Sequence, residues 1–324
     1  MAVRSLVLKT NILYLTIIRN YHLNILKIII RQMLTAVLLL LPGLAMADTA
    51  PLFWPLRYDE RGLPLTDVII EGKMHTLMLD TGSSTGLHFY ERELNELVSV
   101  SGLGTTRLED RRFIDISGNE IRVPVWNLNH LIISGIRFNN IEIVPFKPWG
   151  LSIGNQKPVN EVMGLGLFHD RRFMVDFRKN RLWPTYTPSV SDMDKSYRWS
   201  SYPAEKTKSG LLITAIVGGI KLKLLLDTAT SHSMLFADRL PSDTLFSGCK
   251  TVEPEASDQD CRVTTFSLKD NQGTSRNEFA IVISGNRPKG LDFDGILGMN
   301  VMRDHLVIID IPGDIFRISD QQGW

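Results

Sequence analysis

The sequence predicts a mostly β protein built from two copies of one domain, and three observations predict it. Short apolar runs separated by Gly, Asn, Asp and Pro dominate the chain, while helical periodicity is rare outside Glu91–Val98. Asp80-Thr81-Gly82-Ser83-Ser84 and Asp227-Thr228-Ala229-Thr230-Ser231 are one element written twice, behind Leu77-Met78-Leu79 and Leu224-Leu225-Leu226. Downstream, Val162-Met163-Gly164 with Phe173-Met174-Val175-Asp176 matches Ile296-Leu297-Gly298 with Val307-Ile308-Ile309-Asp310, at the same internal spacing. A repeat of this extent implies two domains facing each other, each contributing one carboxylate.

Taken in order, residues 1–47 contain Arg4, Lys9, Arg19, Lys27 and Arg31 but no acidic residue. The apolar stretch Leu34–Leu44 is short for a membrane span, and Ala45-Met46-Ala47 supplies small residues before Asp48. This reads as a cleaved signal peptide of an exported, periplasmic or secreted protein; a retained N-terminal anchor including Leu6–Ile30 is the alternative. The expected N-terminal lobe is 48–184, a linker marked by Pro184, Pro188 and Pro203 is 185–208, and the C-terminal lobe is 209–324. Leu65–Leu79 reads as strand, turn at Glu71-Gly72-Lys73, strand, and Leu212–Leu226 reads the same way around Gly218-Gly219.

Phe113–Val125 reads as a hairpin turning at Ser117-Gly118-Asn119, with a counterpart near Asp270-Asn271-Gln272-Gly273. Either is a candidate flap over a site between the lobes, or a plain surface hairpin. Phe146–Pro158, with Trp149, lengthens the first repeat as a substrate subsite or a surface insertion. Cys249 and Cys261, the two cysteines present, are expected to form a disulfide in an exported protein, two free thiols being the alternative.

Two carboxylates on symmetric loops suit one chemistry. At about 4 Å and an effective dielectric of about 20 their repulsion is about 4 kcal/mol, or roughly 3 pKa units. One carboxyl therefore ionises early while the other keeps its proton. A water between them loses a proton to the charged member while the protonated member polarises a peptide carbonyl.

Asp-Thr-Gly-Ser followed far downstream by two apolar residues and Gly resembles the aspartic proteases of the pepsin and retropepsin clan. Across roughly Leu63–Ile318 the closer likeness is to a bacterial single-chain tandem of two retropepsin-like domains. The resemblance implies a two-lobed aspartic protease fold of two β-barrel-like domains with an active-site cleft between them. It implies an aspartic endopeptidase acting on peptide or protein substrates as a monomer, without cofactor or metal. Asp80 and Asp227 would be the dyad, Thr81 and Thr228 the buried threonines locking the loops, and Ser83 and Thr230 the hydroxyls bonded to the carboxylates, with Gly82 and Ala229 in the turns. Ala229 departs from the family's Gly and adds a Cβ to a tight turn, and no pepsin-type flap tyrosine is recognisable.

Rival chemistries have less support. Gly82-Ser83-Ser84-Thr85-Gly86 fits a nucleophile elbow with Ser84 as nucleophile, but that motif needs strands alternating with long helices and leaves Asp227 unexplained. The seven His are scattered without zinc spacing, and Gly102-Leu103-Gly104 and Gly164-Leu165-Gly166 lack the other residues of a nucleotide loop. Without residues 1–47 the chain carries 31 Lys plus Arg against 35 Asp plus Glu, a net charge of about −4 that disfavours nucleic acid. Arg111-Arg112, Arg171-Arg172 and Arg178-Lys179-Asn180-Arg181 read as solvated faces. The alternative from another class is a noncatalytic peptide-binding protein that keeps the two-lobed fold.

Overall fold

The computed structural model describes residues 52–148, 159–187, 191, 195–251 and 261–320. The expected signal peptide and most of Phe146–Pro158, including Trp149, lie outside the described residues. The first half contains β1 (Trp54–Tyr58), β2 (Pro64–Ile70), β3 (Lys73–Asp80), β4 (Leu87–Phe89), β5 (Thr105–Ile114), β6 (Glu120–Ile133), β7 (Ile136–Pro145), β8 (Glu161–Gly164), β9 (Arg172–Asp176) and β10 (Arg181–Trp183), with α1 (Glu91–Val98) after β4. The second half contains β11 (Trp199–Lys206), β12 (Leu211–Val217), β13 (Ile220–Leu226), β14 (Met234–Phe236), β15 (Ser247–Gly248), β16 (Arg262–Lys269), β17 (Ser275–Ile283), β18 (Gly295–Leu297), β19 (Leu306–Asp310) and β20 (Ile315–Ser319).

The sequence repeat is a repeat of pairings. In the first half β2 pairs antiparallel with β3, β3 parallel with β8, β8 antiparallel with β4, β4 parallel with β7, and β7 with β6, which returns to β2. The second half follows the same circuit through β12, β13, β18, β14, β17 and β16. The hairpin leading to each Asp turns on two left-handed residues, Glu71-Gly72 and Gly218-Gly219. That turn matches the natural twist of paired strands, and glycine relieves its steric cost.

Three strands from each half form one antiparallel sheet in the order β1, β10, β9, β19, β20, β11. At its centre β9 meets β19 from Arg172↔Asp310 to Asp176↔Leu306. Phe173, Val175, Val307 and Ile309 face a core holding residues of both halves. Met174, Trp183, Leu306 and Ile308 face the other side beneath Tyr186, Tyr197 and Trp199. Covering on both faces explains why these strands are continuous apolar runs rather than alternating ones.

The region expected as a linker, 185–208, needs correction, because it contains β11, which pairs with β20 and β12. Its WSSYPAEK sequence hides a strand, since only Tyr202 is fully buried and Pro203 fits an edge. Cys249 and Cys261 are disulfide-bonded, with Cα atoms 5.5 Å apart.

Because one core runs through both halves, they are expected to unfold together. Ile309→Ala removes a fully buried side chain from β19 and should cost about 2–5 kcal/mol. Calorimetry should show one transition in wild type and variant alike, shifted downward in the variant; two resolved transitions would show that the halves melt independently.

Candidate active site

The two repeated loops meet back to back. Asp80 ends β3 opposite Gly164, and the Asp227 N–H donates to the Leu297 carbonyl at 3.0 Å. Behind the carboxylates, the Thr81 N–H donates to Thr228 Oγ1 and the Thr228 N–H to Thr81 Oγ1, each at 3.1 Å. Thr81 Oγ1 donates in turn to the Leu226 carbonyl at 3.0 Å, and Thr228 Oγ1 to the Leu79 carbonyl at 2.6 Å. Both threonines are fully buried, so these four bonds are shielded from competing water and tie the strand ends of the two halves together.

Asp80 and Asp227 are half-buried and hydrogen-bonded to each other. Asp80 Oδ1 accepts from the Gly82 N–H at 2.9 Å and the Ser83 N–H at 3.1 Å. Asp227 Oδ1 accepts from the Ala229 N–H at 2.7 Å, and its Oδ2 from the Thr230 hydroxyl at 2.6 Å. Burial, then the charge of Asp227, holds Asp80 well above the usual carboxylate range. Burial also raises Asp227, but the Thr230 hydroxyl, the Ala229 N–H and Asp80 oppose the rise. The pair therefore titrates as a unit that keeps a proton above the usual carboxylate range, with the Thr230 hydroxyl favouring charge on Asp227.

Neither turn position is left-handed: positive φ occurs at neither Gly82 nor Ala229. The conformational objection to Ala229 therefore falls. Space decides instead. A Cβ at Gly82 would stand 2.7 Å from Asp227 Cγ and 3.0 Å from both its oxygens. The Ala229 methyl packs against Leu63, Leu65, Met78, Phe146 and Val162 of the first half. The glycines behind the loops are required by close approach: a Cβ at Gly164 would meet the Thr85 carbonyl at 2.1 Å, and one at Gly298 the His232 carbonyl at 2.7 Å.

The hydroxyls depart from their expected symmetry. Thr230 reaches its carboxylate, whereas Ser83 Oγ lies 2.7 Å from His88 Nε2 and receives the Thr85 N–H at 3.3 Å. The sequence expectation that Ser83 bonds the Asp80 carboxylate through its hydroxyl is corrected to a bond through its N–H. His88, buried on β4 with burial lowering its pKa to about 4, was missed, since a lone His five residues past the motif has no recognisable spacing. The Ser84 elbow also lacks its context, because β4 follows the turn where that motif needs a helix, and the Ser–His contact falls on Ser83.

The two candidate flaps also differ. In the first hairpin, Asp115 closes the turn by accepting from the Ser117 and Asn119 N–H groups, at 2.9 and 2.8 Å. Flanking that turn, Ile114 and Ile116 pack on a second-half cluster of Leu212, Leu225, Met234, Phe236, Leu291, Phe293 and Ile296. A Cβ at Gly290 would stand 2.7 Å from Ile114 Cδ1, and one at Gly118 3.4 Å from Pro288 Cβ. The second hairpin repeats the Asp-closed turn at Asp270, but its Asn271 N–H donates to Ser201 on β11 of its own half. Only the first hairpin reaches across.

No protein-family model and no curated protein sequence matches the chain. Solved structures do. Basic 7S globulin from soybean aligns with a TM-score of 0.51 at 11% identity, over 82% of this chain and 94% of that one. Conglutin gamma, a basic 7S globulin from lupine seeds, aligns at 0.45 and 11% identity, over 84% and 95%. The neighbours have a pepsin-like two-lobed fold, and this chain is mostly β with a large sheet. The expected likeness to a bacterial tandem of retropepsin-like domains is thereby corrected: the fold likeness is to a basic 7S globulin. Physically, a six-stranded sheet and an apolar core common to both halves join them more closely than two self-sufficient domains in series. At 11% identity this likeness carries the fold and no activity.

Two predictions follow from this geometry. Gly82→Ala should disrupt the carboxylate pair, whereas Ala229→Gly should leave it intact at a cost below about 1 kcal/mol; thermal melts and carboxyl titrations of both variants check this, and equal effects would refute the spatial account. The second concerns pH. The folded-state pKa values of both Asp residues are raised, so their contribution to stability is fully present below the unfolded value and is lost as pH rises through the folded values. Asp80→Asn keeps an acceptor for the Gly82 and Ser83 N–H groups and removes one charge. It should melt higher than wild type at neutral pH, with the gap closing in acid.

Proposed function

We propose that the chain is an aspartic endopeptidase that hydrolyses peptide bonds with a water activated by Asp80 and Asp227. The observation that carries this is the hydrogen-bonded pair of carboxyls, one from each half, both with raised pKa values and each held by its own fixed donors. Asp227, charged and supported by the Thr230 hydroxyl, takes a proton from water as it attacks the peptide carbonyl carbon. Asp80 donates its proton to the carbonyl oxygen. The tetrahedral intermediate then collapses as Asp227 passes its proton to the departing amine and Asp80 recovers the other. No covalent intermediate is needed, and the fixed N–H donors at each carboxylate avoid reorganisation during the step.

The substrate that suits this site is an extended peptide lying between two β-barrel-like lobes, covered by the Phe113–Val125 hairpin, which excludes water once closed. The enzyme would act as an exported monomer. The Ile114 and Ile116 contacts across to the second half support the flap role.

The second reading is a noncatalytic peptide-binding protein. The comparisons back it better than they back hydrolysis, because the similar solved structures are seed globulins. The Thr230 bond and the accommodated Ala229 methyl favour chemistry.

Protein beginning at Asp48, incubated with an unfolded protein substrate across pH, separates the two. Cleavage should peak in acid and fall as the pair loses its last proton, and pepstatin should inhibit it. Asp80→Asn and Asp227→Asn should each abolish cleavage with the fold intact, Ser84→Ala should cost far less, and Thr230→Ala, by raising the carboxyl that ionises first, should move the rising acid limb to higher pH. Peptide binding without cleavage at any pH would establish the noncatalytic reading.

A further inference from the structure

The two halves supply an internal control for one another, and one of their differences beside the carboxylates concerns the hydroxyl three residues after each Asp. His88 stands opposite Val162 on β8 as Met234 stands opposite Ile296 on β18. Ser83 and Thr230 occupy the same step of the repeat: the Ser83 carbonyl accepts from the Leu165 N–H and the Thr230 carbonyl from the Met299 N–H, each at 2.8 Å. Where the second half has Met234, a poor acceptor, the Thr230 hydroxyl turns to Asp227 at 2.6 Å. Where the first half has His88, the Ser83 hydroxyl lies 2.7 Å from the ring nitrogen.

We propose that His88 is a positioning residue that makes the dyad unequal: by accepting the Ser83 hydroxyl proton at Nε2 it withholds from Asp80 the hydrogen bond that Thr230 gives to Asp227, so the shared proton rests on Asp80. The inference rests on the Asp80–Asp227 dyad proposed above and assigns its microscopic order. A hydroxyl donated to a carboxylate favours the ionised form. One carboxylate of this pair has that donor and the other lacks it. The position of the proton then determines which carboxyl attacks as base and which polarises the carbonyl.

The surroundings of His88 leave the ring neutral in the working range. Val144 on β7 and Val162 on β8 lie opposite it. The ionisable groups on those strands are Arg137, which bonds Asn139, Glu142, which pairs with Arg111, and Glu161, which is shared by His75 and the Tyr90 N–H. The loop carrying Ser83 adds Asp80 itself. Burial lowers the imidazole pKa to about 4, so above that pH the ring is neutral, and in the tautomer that carries its proton on Nδ1 the Nε2 atom accepts the Ser83 hydroxyl.

The test reads the carboxyls directly and needs no turnover. The full chain is labelled with carboxyl-13C aspartate, the dyad signals are identified by their loss in Asp80→Asn and Asp227→Asn, and both are titrated by NMR. In wild type the later-titrating carboxyl should be Asp80. Ser83→Ala should leave the Asp80 midpoint unmoved, because its hydroxyl does not reach the carboxylate, whereas Thr230→Ala should raise that of Asp227. His88→Met, which copies the second half, should release the Ser83 hydroxyl and lower the Asp80 midpoint by on the order of one pH unit. Adding Ser83→Ala to His88→Met should cancel that shift, which a merely structural role of His88 would not do.

An Asp80 midpoint unmoved in folded His88→Met, or a shift that survives Ser83→Ala, would overturn the proposal. If His88→Met does not fold, Ser83→Ala decides alone: an upward shift at Asp80 matching that of Thr230→Ala at Asp227 overturns it, and no shift supports it. Unequal titration in a protein that cleaves nothing would sink the endopeptidase reading and leave this one standing; cleavage with symmetric titration would do the reverse.

Discussion

The reciprocal bonding of Thr81 and Thr228 is the constraint on which the site depends. Two ionised carboxylates about 4 Å apart in a partly dry site repel by about 4 kcal/mol, and the hydrogen bond between Asp80 and Asp227 opposes this only while one of them keeps its proton. The threonines do so from behind. Each accepts the other's backbone N–H and donates to the carbonyl one residue before the other loop's Asp. Each bond contributes only about 0.5–1.5 kcal/mol net, but breaking one strands a buried donor or acceptor at about 1–3 kcal/mol. The arrangement therefore resists parting more strongly than its net stabilisation suggests. The central sheet reinforces it, because β9 and β19 fix the relation between the halves at a second level of the molecule.

From that near-symmetric frame the surroundings build an asymmetric site. The hairpin circuits, the Asp-closed turns at Asp115 and Asp270, and the close-packed Gly164 and Gly298 repeat faithfully. The differences lie around the carboxylates. One turn carries a methyl that fits an apolar niche, while the other has the opposing carboxylate in the same place. One hairpin crosses to the other half and one is tied to its own. Hydrolysis of a peptide bond needs a base and an acid in different roles at one moment, so inequality of this kind is what a symmetric frame must acquire before it can act.

The sequence made much of this legible because repeats and periodicity report backbone constraints directly. The helix at Glu91–Val98, both hairpins with their left-handed turns, and both Asp-bearing strand ends fall where the pattern places them. What stayed hidden depended on contacts between distant residues. Ala229 looked costly because glycine so often marks a left-handed turn, yet the position has no positive φ and the deciding quantity was space. The family resemblance gives Ser83 and Thr230 the same role, but His88 competes for the Ser83 hydroxyl. β11 reads as linker because an edge strand with polar faces carries neither apolar alternation nor a continuous apolar run. The receptacle for the first hairpin, around Pro288 and Gly290, has no local signature, being defined only by what lands on it.

A buried acidic pair also bears on why the chain keeps two aspartates at all. Folding alone gives no reason to hold them: with both pKa values raised, ionising the pair at neutral pH weakens the folded state. An asparagine in place of either would accept the same backbone N–H bonds without the repulsion. A protein that only bound peptides would be relieved by that exchange and would lose nothing in shape. Both carboxyls are nonetheless present, with the Thr230 hydroxyl favouring the charge on one and the Ser83 hydroxyl turned away from the other, a cost to stability that the proposed hydrolysis would balance.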